Sequence, residues 1–179
     1  MPRMDYVLAD KQIVYAGKII RLERHKLDTA DGTKFRDIVV HPGACVILPL
    51  VTPDTVLLIR NYRYAVAGEL LELPAGTLEK NETPMNSAGR ELLEETGYVA
   101  GKIKAIGSFY SSPGVMTERM YAFVATDLTY EGQQLDDGEE ITLAPTKLDD
   151  ALAMIASGDI VDGKTVATLL MYDRFHRPR

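Results

Sequence analysis

Glu91, Glu94 and Glu95 stand three and four residues apart in a stretch with helical periodicity. At that spacing the three carboxylates share one helix face. They also fall in the last two turns, where the helix dipole disfavours negative charge by about 0.3–1 kcal/mol each. Mutual repulsion adds to this. A sequence chosen for stability alone would carry Lys or Arg here. A hard divalent cation such as Mg²⁺ removes the conflict, because it takes carboxylate oxygens and keeps several waters. Taken alone, the three glutamates read more simply as a solvated acidic face, with Arg90–Glu94 as an i,i+4 pair. The surrounding residues decide between the two readings.

Composition narrows the choice. The formal charge is -6 over 179 residues. An acidic chain lacks the basic footprint of a nucleic-acid binder. It also repels a polyanionic substrate, so a phosphate-cutting enzyme of this charge needs a metal. The one cysteine, Cys45, lies in the apolar run Ala44 to Leu50. It reads as a buried, inert thiol, and one cysteine can form neither a disulfide framework nor a thiolate metal site within the chain. No apolar stretch reaches the length of about 18 residues that spans a membrane, and Met1 to Asp10 lacks a signal-peptide core. The cytoplasm is the expected compartment.

The acidic helix is well signalled. Pro84 to Thr96 is helical, with Thr83 as its cap, Pro84 in its first turn and Gly97 at its left-handed end. Met85, Ala88 and Leu92 give it one core-facing stripe. Two further helices are expected over Lys147–Ser157 and Thr165–Phe175. Lys18–Leu27 and Thr33–Val40 read as strands joined by an Asp31-Gly32 turn. Ala44–Val51 and Thr55–Tyr62 form a second pair, Leu70–Leu73 is a short strand, and Lys102–Phe109 and Met120–Ala125 are two more. Without strict βαβ alternation the fold class is α+β with a mixed sheet. The expected division is an N-terminal β segment, residues 1–43, followed by a catalytic domain, residues 44–179.

Ahead of the glutamates stand Gly76, then five residues, Glu82, then seven residues, then Arg90-Glu91-Leu92-Leu93-Glu94-Glu95-Thr96-Gly97-Tyr98. This arrangement resembles the Nudix box. Every Gly, Glu and Arg of the pattern is present. Tyr98 stands where the pattern asks for an aliphatic residue. The resemblance implies a mixed sheet sandwiched between helices, and a hydrolase of nucleoside diphosphates linked to another group. It implies Glu91, Glu94 and Glu95 as metal ligands, joined by the Ala75 carbonyl. It further implies Arg90 as the residue that orients the glutamates, and Glu82 as a structural or secondary ligand. The implied cofactor is Mg²⁺, with Mn²⁺ able to substitute. Gly76 would let the backbone approach the metal closely.

Beyond the box the chain resembles the ADP-ribose pyrophosphatase branch of that family. The features are Tyr62-Arg63-Tyr64, then Leu71-Glu72-Leu73-Pro74-Ala75-Gly76, and Pro113 fifteen residues after Tyr98. The branch implies Arg63 as a ligand of the substrate phosphates, Glu72 as a substrate contact and Phe35 as a stacking partner of the base across a dimer interface. Plain packing is the simpler reading of Phe35. The N-terminal hairpin implies a homodimer. In the acidic loop Asp136-Asp137-Gly138-Glu139-Glu140, Glu139 is the best match for a carboxylate brought to the metals or to the attacking water, with Glu140 and Asp137 behind it. Either Glu139 or a box glutamate such as Glu94 is the expected base. The products from ADP-ribose would be AMP and ribose 5-phosphate.

Other readings compete. Gly158-Asp159-Ile160-Val161-Asp162-Gly163-Lys164-Thr165 formally matches a phosphate-binding P-loop. It follows a helical pattern rather than a buried strand, and two aspartates would face the phosphate, so it reads as a helix stop and a helix start. A nucleotide-binding module without catalysis would lose box glutamates, and none is lost. GDP-mannose and other nucleoside diphosphate sugars are the main alternative substrates, because Asp162-Gly163-Lys164-Thr165 is also similar to that branch. Triphosphate sanitising and RNA 5′-end processing fit Pro113 and the N-terminal segment less well.

Overall fold

At Gly43 an exposed β-sheet gives way to a strand buried on both faces. The computed structural model describes residues 6–135 and 138–178. It divides into two units. One comprises the chain up to Gly43 together with Tyr110–Arg119, and the other comprises Ala44–Phe109 and the chain from Met120 onward.

The first unit is a three-stranded antiparallel sheet of β1 (Tyr6–Ala16), β2 (Arg21–Thr29) and β3 (Gly32–Val40), in that order. The sequence reading expected only a hairpin, with its first strand from Lys18 to Leu27. β1 is the addition. Its pairing with β2 slips between Leu8 and Asp10 and again between Ile13 and Tyr15. Each slip resets the side-chain alternation, so no period of two survives for the eye to find. Ser112-Pro113-Gly114 forms a turn in this unit, with the Val115 and Met116 N–H groups donating to the Ser112 carbonyl. Val115 and Thr117 then bond Val39 on β3.

In the second unit the strands are β4 (Ala44–Thr52), β5 (Thr55–Arg63), β6 (Gly68–Glu72), β7 (Ala75–Thr77), β8 (Tyr98–Tyr110), β9 (Arg119–Tyr130) and β10 (Ile141–Lys147). The sheet order is β10-β5-β4-β9-β8, with β6 added on β5 and β7 on β4. β4 and β9 run parallel while β4 and β5 run antiparallel, so the sheet is mixed as expected. Its helices are α1 (Pro84–Thr96), α2 (Leu148–Ser157) and α3 (Gly163–Phe175).

Strand alternation places these helices. Ala44, Val46, Leu48 and Leu50 of β4 join the apolar cluster that holds Leu148 and Ala151 of α2 and Leu169 and Tyr172 of α3. Cys45 and Ile47 point the other way, into the cluster of Ala88 and Leu92 from α1 with Phe123 and Ala125. Two apolar faces need two covers, hence helix on both sides of one sheet. No described helix is long and apolar enough to cross a membrane.

The buried face of α1 departs from the sequence reading. Ala88 and Leu92 are buried, but Met85 is exposed and Glu95 and Thr96 are buried instead. Helical side chains lean toward the N-terminus, so a first-turn residue such as Met85 reaches past the sheet that the later turns cover.

Candidate active site

The box helix begins and ends as its sequence requires. Thr83 Oγ1 accepts the Asn86 N–H at 3.3 Å. Gly97 adopts φ 75° and its N–H donates to the Leu93 carbonyl at 2.7 Å. A Cβ on Gly97 would also lie 2.7 Å from Gln133 N, so no other residue fits there. The segment beyond β9 satisfies the carbonyls that the helix leaves open. Glu131 N–H donates to the Gly97 carbonyl, Gln134 N–H to that of Glu94, and Gln133 Nε2 to that of Glu95. Residues 131–134 are thereby anchored to the end of the helix that carries the glutamates.

Arg90 organises the acidic face. Its Nε and Nη2 both donate to Glu82 at 3.0 Å, and its Nη1 donates to Glu91 at 2.7 Å and Glu94 at 2.8 Å. One rigid guanidinium therefore fixes three carboxylates at once. Glu82 is held in turn by the Glu79 N–H at 3.0 Å, and Arg90 keeps its carboxyl below the usual range. Among the described residues no three acidic, histidine or cysteine side chains already converge as a metal cage. Glu91 and Glu94 turn toward Arg90 instead.

Glu95 is almost wholly buried, and its Oε2 accepts the Ala75 N–H at 2.9 Å. Burial pushes it up to about 8, and the charges of Glu91 and Glu139 act in the same direction. Burial likewise raises Glu91 to about 7, with Glu94 and Glu139 adding to the rise against the pull of Arg90. Glu139 thus acts electrostatically on both Glu91 and Glu95. Gly76 has no room for a side chain, since a Cβ there would lie 1.9 Å from the Glu91 carboxylate. Crowded carboxylate oxygens that outnumber the one guanidinium beside them suit a hard divalent cation.

A second cluster is built around Glu72. Glu72 is fully buried at the end of β6. Arg63, ending β5, donates from Nε to Glu72 Oε1 at 2.9 Å and from Nη2 to Oε2 at 2.6 Å. Lys164 Nζ donates to the same Oε2 at 2.6 Å. The expectation was a Glu72 that meets substrate, but its two oxygens are engaged by Arg63 and Lys164. Phe35 is exposed on β3, in the other unit. Glu140 is exposed, and Asp137 lies outside the described residues.

The NUDIX domain family matches residues 40–169. The chain belongs to the Nudix family. An ADP-ribose pyrophosphatase of Bacillus subtilis is 36% identical over 87% of this chain and 85% of its own. A GDP-mannose pyrophosphatase of Salmonella paratyphi B is 35% identical over 86% and 78%. A solved ADP compounds hydrolase shares the fold, with a TM-score of 0.86 over 98% of this chain and 96% of its own, at 21% identity. As a Nudix hydrolase the chain has all of the box's Gly, Glu and Arg residues. Its one departure, Tyr98, packs on the α1 side of the sheet and meets Tyr130 edge to face, with ring centroids 5.1 Å apart.

Lys164 is the residue that sequence reasoning missed. In the sequence its neighbourhood reads as a false P-loop and as a stretch similar to the nucleotide-sugar branch, neither of which gives Lys164 a role. The one signal was Asp162-Gly163-Lys164-Thr165 itself, which resembles a stretch in related enzymes.

Proposed function

We propose that this chain hydrolyses the pyrophosphate bond of ADP-ribose to AMP and ribose 5-phosphate, with Mg²⁺ as cofactor and Mn²⁺ as a substitute. The observation that carries the reading is the Arg90 lock on Glu82, Glu91 and Glu94 beside a buried Glu95. One guanidinium does not balance four neighbouring carboxylates, and a divalent cation would supply the missing positive charge.

Glu91, Glu94 and Glu95 would hold the metal, joined by Ala75 and Glu139. When bound, the metal neutralises pyrophosphate charge and makes a water acidic enough to attack. Glu139 or Glu94 accepts the proton of that water. Arg90 keeps the carboxylates aligned, and Arg63 neutralises a substrate phosphate. Phe35 is assigned to the base, from the partner of a dimer.

ADP-ribose is preferred because the Bacillus subtilis relative carries that activity in its name over most of both chains. The similarity to GDP-mannose pyrophosphatases supports that sugar nucleotide as the second reading. A panel of ADP-ribose, GDP-mannose, NADH, diadenosine polyphosphates and nucleoside triphosphates decides between them. ADP-ribose is expected to give the highest kcat/KM, and in ¹⁸O-water only one product phosphate takes the label. A GDP-mannose kcat/KM tenfold higher or more, roughly 1.4 kcal/mol in transition-state binding, overturns the substrate assignment.

The reading also makes the enzyme a homodimer, paired through its N-terminal sheet. From Tyr6 to Pro42 no described residue except Glu23 is buried, while Tyr6, Val7, Leu8, Ile13, Val14 and Tyr15 of β1 are exposed. A three-stranded sheet needs an apolar cover to be stable. The cytoplasm is the assigned compartment, on the support of a lone cysteine that forms no disulfide within the chain.

A further inference from the structure

A single buried carboxylate serves two cations in this fold, and one of them sits in the segment first read as a false P-loop. Glu72 Oε2 accepts from both Arg63 Nη2 and Lys164 Nζ, each at 2.6 Å. Lys164 also reaches Asp162 Oδ1 at 2.9 Å. The other oxygen of Asp162 caps α3, accepting the Thr165 N–H at 3.0 Å and the Thr165 hydroxyl at 2.6 Å. Thr165 is fully buried, and its Oγ1 accepts the Leu73 N–H at 2.8 Å. Residues 162–165 therefore grip Glu72, which ends β6, and Leu73, the next residue on the way to Ala75.

We propose that Lys164 is a positioning residue for Arg63 and acts through Glu72. This rests on the reading of Arg63 as a phosphate ligand. Charge balance is the argument. Arg63 is the more exposed of the two cations, with 38% of its side chain accessible against 18% for Lys164. If Arg63 alone neutralised Glu72, a substrate phosphate would compete with a buried anion for the same positive charge. An uncompensated buried carboxylate is costly, so Arg63 would be held back. Lys164 supplies a second positive charge that remains on Glu72 when the Arg63 guanidinium turns its charge to the phosphate. The demand of Asp162 on Lys164 is moderated, because Asp162 also rests on the N-terminal end of α3.

The test is a double-mutant cycle in the full-length enzyme, run on whichever nucleotide sugar the wild-type protein prefers. Lys164→Met is expected to raise KM about tenfold while kcat falls about twofold, as the loss of a ground-state phosphate contact should. Lys164→Arg restores most of the KM. In an Arg63→Ala background Lys164→Met adds less than about twofold, because both residues act through one path. Multiplying KM effects would mean that Lys164 meets the substrate by itself and would overturn the proposal, as would an unchanged KM in folded Lys164→Met. If that variant does not fold, Lys164→Gln, which can still donate to Glu72 without charge, carries the same test. An unchanged KM in Arg63→Ala refutes the phosphate-ligand reading itself. A raised KM there, with Lys164 variants like wild type, refutes only the positioning role.

Discussion

The N–H of Ala75 donates to Oε2 of Glu95 at 2.9 Å, tying β7 to the last turn of the box helix. Ala75 is the fourth residue of a short run that the fold holds at every step. Glu72 bonds Arg63 and Lys164, Leu73 bonds Thr165, the Pro74 carbonyl accepts the Ile47 N–H, and Ala75 bonds Glu95. Arg63 and the box glutamates are thus fixed by one stretch of backbone.

Glu94→Gln and Glu95→Gln are expected to lower kcat by at least about 100-fold while the fold persists, since a metal ligand acts on the transition state. A Gln at position 95 can still accept the Ala75 N–H through its carbonyl oxygen. Steady-state kinetics with circular dichroism of each variant tests this, and near-wild-type kcat in both would refute the ligand assignment.

Chelation should abolish turnover, and Mg²⁺ or Mn²⁺ should restore it. Full turnover in excess EDTA, with metal shown to be absent, would end the metal mechanism.

Metal-free protein should become more stable as pH falls from about 8 to about 5. Glu91 and Glu95 have folded values of about 7 and about 8, above the ordinary 4.5. The folded state therefore binds more protons than the unfolded chain across that window, and acidification favours it. Melting temperatures in chelator at several pH values measure the effect. The rise should be smaller in Glu95→Gln, and an equal rise in both proteins would assign it to other groups.

Acid should have the opposite effect on the N-terminal sheet. Glu23 is buried there, and hydrogen bonds from His25 and Arg21 hold its carboxyl down to about 2. A depressed value means stability that is present above the ordinary 4.5 and is lost as pH falls toward the folded value. Glu23→Gln should be less stable than wild type at neutral pH, and the gap should close between about pH 5 and pH 2. A gap that stays constant over that range would show that the charge of Glu23 is not what matters.

Light scattering at micromolar concentration should give a homodimer. Charged residues at Ile13 and Tyr15 on β1 should shift it to monomer, because both are exposed apolar residues of this sheet. A wild-type monomer at that concentration would refute the pairing.

The box was legible in the sequence because its chemistry is local. Glu91, Glu94 and Glu95 share a face by helical spacing alone, and Thr83, Pro84 and Gly97 mark the ends of that helix without help from the rest of the chain. The mixed sheet was legible because apolar runs and turn residues are also local signals. Tertiary structure decided what depends on residues far apart in the chain. Lys164 meets Glu72 across 92 positions, a distance at which no periodicity carries information. The burial of Glu72 exists only once α3 covers the end of β6, so its contacts with Arg63 and Lys164 could not be read from Leu71-Glu72-Leu73. β1 escaped notice for a related reason: its bulges erase the alternation, and only pairing with β2 defines it as a strand.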